Sequence, residues 1–248
     1  MIERFVAMMD GFEREPAAAA ARHRSHELLR IAPGQRVVDV GCGTGTSVGE
    51  LTAAGALVSG VDVNPEVLVV AKERHPAGDF TTGSAESIPF PDGHFAGYRA
   101  ERVYHAVADP AAALAEAARV LAPGGRIVLI GPDWTMLGLD STDEETERAV
   151  LAAQVASMPS PRCALRFRNL LLDGGFTDVA VEVHTAVLTG ASGLPMLESA
   201  ASVAVGTGAV SPSRAESWLA EQRQRVERGR FLLAAPQFVT SGVRGSGR

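Results

Sequence analysis

Residues 37–45, Val37-Val38-Asp39-Val40-Gly41-Cys42-Gly43-Thr44-Gly45, place three glycines at alternate positions directly after a short β-branched run. Glycine at a strand-to-helix turn lets the backbone bend tightly and lets a ligand approach it closely. A dinucleotide fingerprint would need its third glycine where Thr46 stands, and the lysine of a phosphate loop is missing too. Asp39 lies inside the strand just before the turn, where a carboxylate suits a cationic ligand better than a pyrophosphate. A second acid, Asp62, ends the run Leu57-Val58-Ser59-Gly60-Val61. It can accept two hydrogen bonds from a ribose diol, each charge-assisted contact contributing about 1.5–3 kcal/mol. Helix capping is the competing use of such an aspartate, but Asn64 already fills that role.

These residues must be held by regular elements, and the flanking pattern supplies them. Strands are expected at residues 36–40, 57–61, 79–82, 94–99 and 126–130. Between them Asn64-Pro65 and Asp109-Pro110 each read as an N-cap followed by a first-turn proline. Leu114, Ala117, Ala118 and Leu121 share one helical face, and Pro123-Gly124-Gly125 reads as a turn. Such alternation predicts a parallel sheet covered by helices on both faces. Further on, Ser141 with Glu144 and Ser213 with Glu216 fit capping boxes. A helix is expected at residues 162–172, stopping at Gly174-Gly175, and a strand at 177–189, where Val179, Val181 and Val183 alternate with Asp178, Glu182 and His184. Residues 190–230 read as a helical excursion and 231–239 as a final strand before a frayed tail.

Composition narrows the function classes. The 248 residues carry a formal charge of −6, and 46% are hydrophobic, enough to bury a real core. Lys72 is the only lysine. An acidic chain without a lysine-studded surface is not expected to bind nucleic acid. Two cysteines, Cys42 and Cys163, exclude a disulfide scaffold and a multi-cysteine zinc site. His23, His26, His75, His94 and His184 lack metal-ligand spacing, so no metal is expected. Charges at Glu3 and Arg4 argue against a signal peptide, and no apolar run approaches the ~18–20 residues of a membrane span. A cytoplasmic protein without a membrane partner is the expectation.

Together these motifs resemble the class I S-adenosylmethionine-dependent methyltransferases. The resembling segments are residues 37–45, Val61-Asp62, Gly83-Ser84-Ala85-Glu86-Ser87-Ile88-Pro89-Phe90, and residues 118–126, Ala118-Arg119-Val120-Leu121-Ala122-Pro123-Gly124-Gly125-Arg126. They fall in the family's order over about residues 22–131, and look most like its methyltransferase-11 and ubiquinone/menaquinone-type members, which act on small molecules. The resemblance implies an α/β, Rossmann-like, seven-stranded, mostly parallel sheet with helices on both faces. It further implies a single domain over residues 1–248: a helical lid at 1–31, the sheet core at 32–189, a helical cap insertion at 190–230, the last strand at 231–239 and a flexible tail at 240–248. S-adenosylmethionine is the implied cofactor and a small-molecule methyl acceptor the implied partner. Gly41, Cys42 and Gly43 would cradle the methionine part. Asp39 would orient the loop and the amino group, Asp62 would hold the ribose hydroxyls, and Val63 would pack on the adenine.

The chain departs from the family pattern at two positions. Ser84 stands where an aspartate commonly binds the adenine amino group, so Ser84, the Ala85 amide and Glu86 are the candidates for that contact. Ala96 follows Phe95 where an aspartate is usual. These departures also motivate an alternative, a cofactor-binding fold with a rearrangement or regulatory role. The segment Glu101-Arg102-Val103-Tyr104-His105 would line the methionine end and face the acceptor, with Glu101 at the cofactor and His105 as a candidate general base. No Asn-Pro-Pro-Tyr-like tetrapeptide follows that strand, which disfavours a DNA-base or protein-amide substrate. Arg24, or Arg22, would reach the cofactor carboxylate from the lid, and Trp134 would wall the acceptor pocket at the carboxyl edge of the sheet.

Overall fold

The computed structural model describes residues 2–245, with Arg4 and Phe5 described by backbone alone. Helices α1 (Ile2–Glu13) and α2 (Pro16–Leu29) come first. Then β1 (Arg36–Val40), α3 (Thr46–Ala53), β2 (Leu57–Asp62), α4 (Pro65–Arg74), β3 (Asp79–Thr82), β4 (Phe95–Glu101), α5 (Pro110–Val120) and β5 (Leu121–Pro132) alternate as the sequence pattern predicts. Local chemistry starts two of these helices: the Asn64 side chain accepts the Glu66 amide, and Asp109 accepts those of Ala111 and Ala112. The chain continues through β6 (Gly138–Leu139), α6 (Glu144–Ala156), α7 (Cys163–Asp173), β7 (Phe176–Leu188), α8 (Leu194–Gly206), α9 (Pro212–Glu227) and β8 (Leu233–Arg244).

One mixed sheet organises the molecule. Strands β3, β2, β1, β4 and β5 are parallel in that order, and β8 lies antiparallel between β5 and β7. Seven strands correspond to the expected set, and the two-residue β6 adds a short eighth beside the start of β8. Alternate strand residues feed two cores. Val38, Val40, Ile127 and Leu129 pack with α5 and α7, while Val37, Val128 and Ile130 pack with α2, α3 and α4. A third core, built from Val150, Leu197, Ala201 and Trp218, joins α6, α8 and α9 into a helical cap. From β1 the chain runs outward to β2 and β3, then returns to β4 on the other side. The loops after β1 and β4 therefore part company and leave a crevice at the carboxyl ends of the strands. Among the described residues no helix is long and apolar enough to cross a membrane.

Several local expectations are corrected. Helix α6 is capped by Asp143, which accepts the Thr146 amide, and α9 by Ser211, which accepts that of Arg214. Ser141 instead donates to Glu221, so each supposed box starts two residues from the real cap. The Pro123-Gly124-Gly125 turn is absorbed into β5 as an irregularity, since the pairing jumps from Phe95–Leu121 to Gly97–Arg126. Residues 240–244 belong to β8 rather than to a flexible tail, because pairing on both edges outweighs their weak apolar pattern. Residues 246–248 lie outside the described residues. On β7 Val181 and Val183 face outward, with Val183 54% exposed, while Val179 packs against the core and Glu182 turns toward α2 and meets Arg24.

Candidate active site

The glycine turn sits at the carboxyl end of β1. Gly41 and Gly43 have φ of 68° and 54°, in the left-handed region. A Cβ on Gly41 would lie 2.2 Å from Val103 Cγ2, and one on Gly43 would lie 2.3 Å from Met9 Cε. The backbone thus calls for glycine at both positions, and Val103 adds a steric bar at Gly41. The amides of Gly41 and Cys42 both donate to the Val61 carbonyl, at 2.7 and 3.1 Å, which ties the turn to β2. Asp62 finishes that tie: Oδ2 accepts the Gly43 amide at 3.0 Å and Oδ1 the Asn64 amide at 2.9 Å. A carboxylate offers about four lone-pair directions, so capacity for a diol remains. Beside it Val63 is 68% exposed. At the far side of the crevice Ser84 and Ser87 exchange backbone hydrogen bonds, closing a turn in which Ala85 is buried. Glu86 accepts the Asp109 amide at 3.3 Å and so leans toward α5. Burial pushes the Cys42 thiol up, which keeps it protonated and unreactive.

Beneath the turn lies an ion cluster that the sequence reading missed. Arg99 on β4 stands opposite Asp39 on β1 in the parallel register, and its Nη1 donates to Asp39 Oδ1 at 2.8 Å. Its Nη2 donates to Glu101, and its Nε to Ser25 Oγ on α2 at 2.8 Å. Arg99 and Asp39 are buried, with side chains 3% and 2% exposed. Burial raises the Asp39 carboxyl against the pull of Arg99. Glu101 also feels burial, but Arg99 and Arg102 together bring it below its usual range. Asp39 therefore acts on the crevice through Arg99 and the loop it anchors, while Glu101 stands at the strand end nearer the opening. Counting Asp62 above it, three carboxylates face the two guanidinium groups of Arg99 and Arg102, a small negative excess that favours a cationic ligand. Arg102, 3.8 Å from Glu101, has φ of 56° and stacks over Phe12 of α1 at 4.0 Å.

The segment expected as one lid divides into two unlike parts. Helix α2 belongs to the core: Ala21 and Leu29 are buried, Arg22 binds Glu50 at 2.9 Å, and His26 meets Ser47 at 2.6 Å. The Arg24 guanidinium is engaged by Glu182 on β7 and by Glu27. Helix α1 is the covering element. Met9 sits against Gly43, Asp10 forms a two-pronged pair with Arg74, and Glu13 accepts from Thr46 at 2.5 Å. Residues 1–31 are therefore not removable as a unit. A chain beginning at Glu15 should keep the fold but bind and release S-adenosylhomocysteine faster. Stopped-flow rates equal to those of the full chain would show that α1 does not cover the site.

On the other side of the crevice His105 packs against Trp134, with ring centroids 5.3 Å apart. Burial, with Arg102 adding, pushes His105 down to about 4, so its ring is neutral through the physiological range. A neutral imidazole of that low basicity orients a hydroxyl better than it deprotonates one. Its ordinary value in the unfolded chain is about 6.5. The unfolded state thus binds more protons between those two values, and stability should fall as pH drops from 6.5 toward 4. His105→Asn should shallow that slope by up to one proton, read from urea midpoints across pH. An unaltered slope would mean the ring is not buried as described.

Comparisons with known proteins converge. A family described as Methyltransferase domain, Methyltransf_11, matches residues 38–129. A protein described as an uncharacterized 37.1 kDa protein in transposon TN4556 of Streptomyces fradiae is 32% identical over 244 residues, covering 94% of this chain and 70% of that one. Demethylmenaquinone methyltransferase of Renibacterium salmoninarum is 42% identical over 103 residues, which is 42% of this chain and 44% of that enzyme. Among solved structures the YcgJ protein of Bacillus subtilis superposes with a TM-score of 0.64 at 17% identity, covering 92% of this chain and all of that one.

Proposed function

We propose, for a chain that belongs to the class I S-adenosylmethionine-dependent methyltransferases, transfer of a methyl group to an oxygen, nitrogen or carbon atom of a small-molecule acceptor. The observation that carries this reading is the glycine turn held on Asp62 above a buried Asp39–Arg99–Glu101 cluster. That cradle, which a Cβ would fill, and the excess of carboxylates over guanidinium groups beside it fit a cationic sulfonium ligand. When bound, S-adenosylmethionine would supply a methyl group already activated by its sulfonium for transfer to a nucleophilic atom of the acceptor.

The chain's own residues then have a modest task. Gly41, Cys42 and Gly43 present backbone to the methionine end. Asp62 holds the ribose hydroxyls, Val63 backs the adenine, and the Ser84–Glu86 turn borders its edge. Glu101 and the backbone of residues 102–104 lie next to the sulfonium. His105 orients the acceptor without needing to be charged. Positioning of this kind can replace a strong base, since aligned reactants reach effective molarities up to about 10⁵–10⁸ M. Helix α1 excludes water over the turn. A cytoplasmic setting with no nucleic-acid partner completes the reading.

The test is calorimetry with S-adenosylmethionine and S-adenosylhomocysteine, followed by detection of S-adenosylhomocysteine formed in the presence of metabolite extracts. Saturable binding with acceptor-dependent product supports it. Binding without product on any acceptor would replace it by a non-methylating role.

A further inference from the structure

We infer that Asp133 and Trp134, at the carboxyl end of β5, form an acceptor subsite that takes a hydroxyl or amine hydrogen. This rests on the methyl-transfer reading above and adds to it the chemistry that the acceptor must carry.

Asp133 is fully buried, 0% exposed. Its Oδ1 is satisfied by Thr135, whose amide donates at 2.9 Å and whose hydroxyl donates at 2.5 Å. Its Oδ2 is buried with no hydrogen-bond partner among the described residues. The indole Nε1 of the next residue, Trp134, is in the same condition. A buried polar atom without a partner costs free energy, and two on adjacent residues at the ligand-binding edge of the sheet call for a common cause.

The strand residues just before them border the reaction side. Gly131 and Pro132, the last residues of β5, line a narrow crevice together with Arg102, Val103, His105 and Phe167. One short turn fixes both walls of that region: the Ser160 amide donates to the His105 carbonyl at 3.0 Å, and the Trp134 amide to the Pro161 carbonyl at 3.1 Å. The His105 and Trp134 rings are thereby held against each other. Gly131 faces Ala164 and Phe167 of α7, and Asp133, two residues on and with extended backbone, continues that alternation just past the strand.

A carboxylate oxygen only accepts and an indole N–H only donates. The matching ligand brings a polar hydrogen to Asp133 and, alongside, an oxygen or nitrogen to Trp134. A hydroxyl meets both needs. An amine meets the first and, when uncharged, the second. Asp133 is then a positioning residue that selects and aligns the acceptor, while the cofactor is held by the other half of the crevice.

The test uses the full chain saturated with S-adenosylhomocysteine and follows the ¹⁵N-labelled indole signals of Trp134 and Trp218. Phenol, benzylamine and toluene are the probes, similar in size but differing in their polar hydrogen. Phenol or benzylamine should shift the Trp134 signal with an affinity about tenfold tighter than toluene, a difference of one good hydrogen bond. Trp218, inside the cap, should not move. Asp133→Asn puts an amide N–H where Oδ2 was, and should bring the tighter probe down to the affinity of toluene while leaving that of S-adenosylhomocysteine unchanged. Equal affinities of all three probes in the unmodified chain, or no shift by any of them, overturn the subsite and point to a trapped water. Retention of the preference in Asp133→Asn overturns it as well. Should that variant fail to fold, the probe comparison in the unmodified chain still decides. Loss of S-adenosylhomocysteine binding by the unmodified chain would instead count against the cofactor reading, which the probes can be run without.

Discussion

Replacing Arg99 by methionine is expected to lower the unfolding free energy by about 3–5 kcal/mol, because it leaves buried carboxylates without their cation. Arg99 touches Asp39, Glu101 and Ser25 at once, joining β1, the end of β4 and helix α2. Methionine fills much of the same volume, so the loss reports charge rather than a cavity. Adding Asp39→Asn should recover part of the loss, since an amide can be buried at smaller cost than an ion. The sign with pH follows from the same picture. Without Arg99, burial and the neighbouring carboxylates of Glu101 and Glu13 act on Asp39 unopposed and raise its carboxyl further. The penalty should therefore shrink as pH falls toward the carboxylate range and grow above it. Urea unfolding of the single and double variants at pH 7 and at pH 5 measures this. A loss below about 1 kcal/mol at pH 7 would be that of an exposed pair, and would remove the cluster as a foundation of the site.

Asp62→Ala should weaken S-adenosylhomocysteine binding by roughly 2–3 kcal/mol, or about 30- to 150-fold in Kd. Two effects combine. The ribose loses its charge-assisted acceptor. The Gly43 and Asn64 amides also lose the side chain that fixes the turn and the start of α4. Asp62→Asn separates them, because one amide oxygen can still accept from Gly43 or from the ribose, and its loss should be intermediate. Isothermal calorimetry measures each Kd, with far-ultraviolet circular dichroism checking the fold. An Asp62→Ala affinity equal to that of the unmodified chain would remove the ribose assignment.

The central scaffold was legible because its signals are local. The β-branched runs of β1 and β2, the Asn64-Pro65 and Asp109-Pro110 caps and the glycine turn each depend on residues within a few positions of one another. Where a local signal had a near neighbour of the same type it misled by a step. Ser211 rather than Ser213 caps α9, because the cap is chosen by where the helix can pack as well as by which hydroxyl is available. Strands β7 and β8 show the same limit. Glu182 turns inward because Arg24 waits there, and Thr240 and Ser241 are buried because they run between two partners.

By itself the sequence determined the class of sheet, the place of the glycine turn and the identity of Asp62 as its companion acid, all properties of short-range order. Only the tertiary structure decided which charges meet. Arg99 and Asp39 are 60 residues apart and become partners because β1 and β4 lie side by side. Arg24 and Glu182 are 158 apart, and the packing of α2 beside β7 brings them together. The division of the amino-terminal segment into a core helix and a cover was likewise settled in space, by Ser25 under Arg99 and Met9 over Gly43. Ion pairs and covers depend on distance through space, which strand order sets and local sequence pattern does not encode.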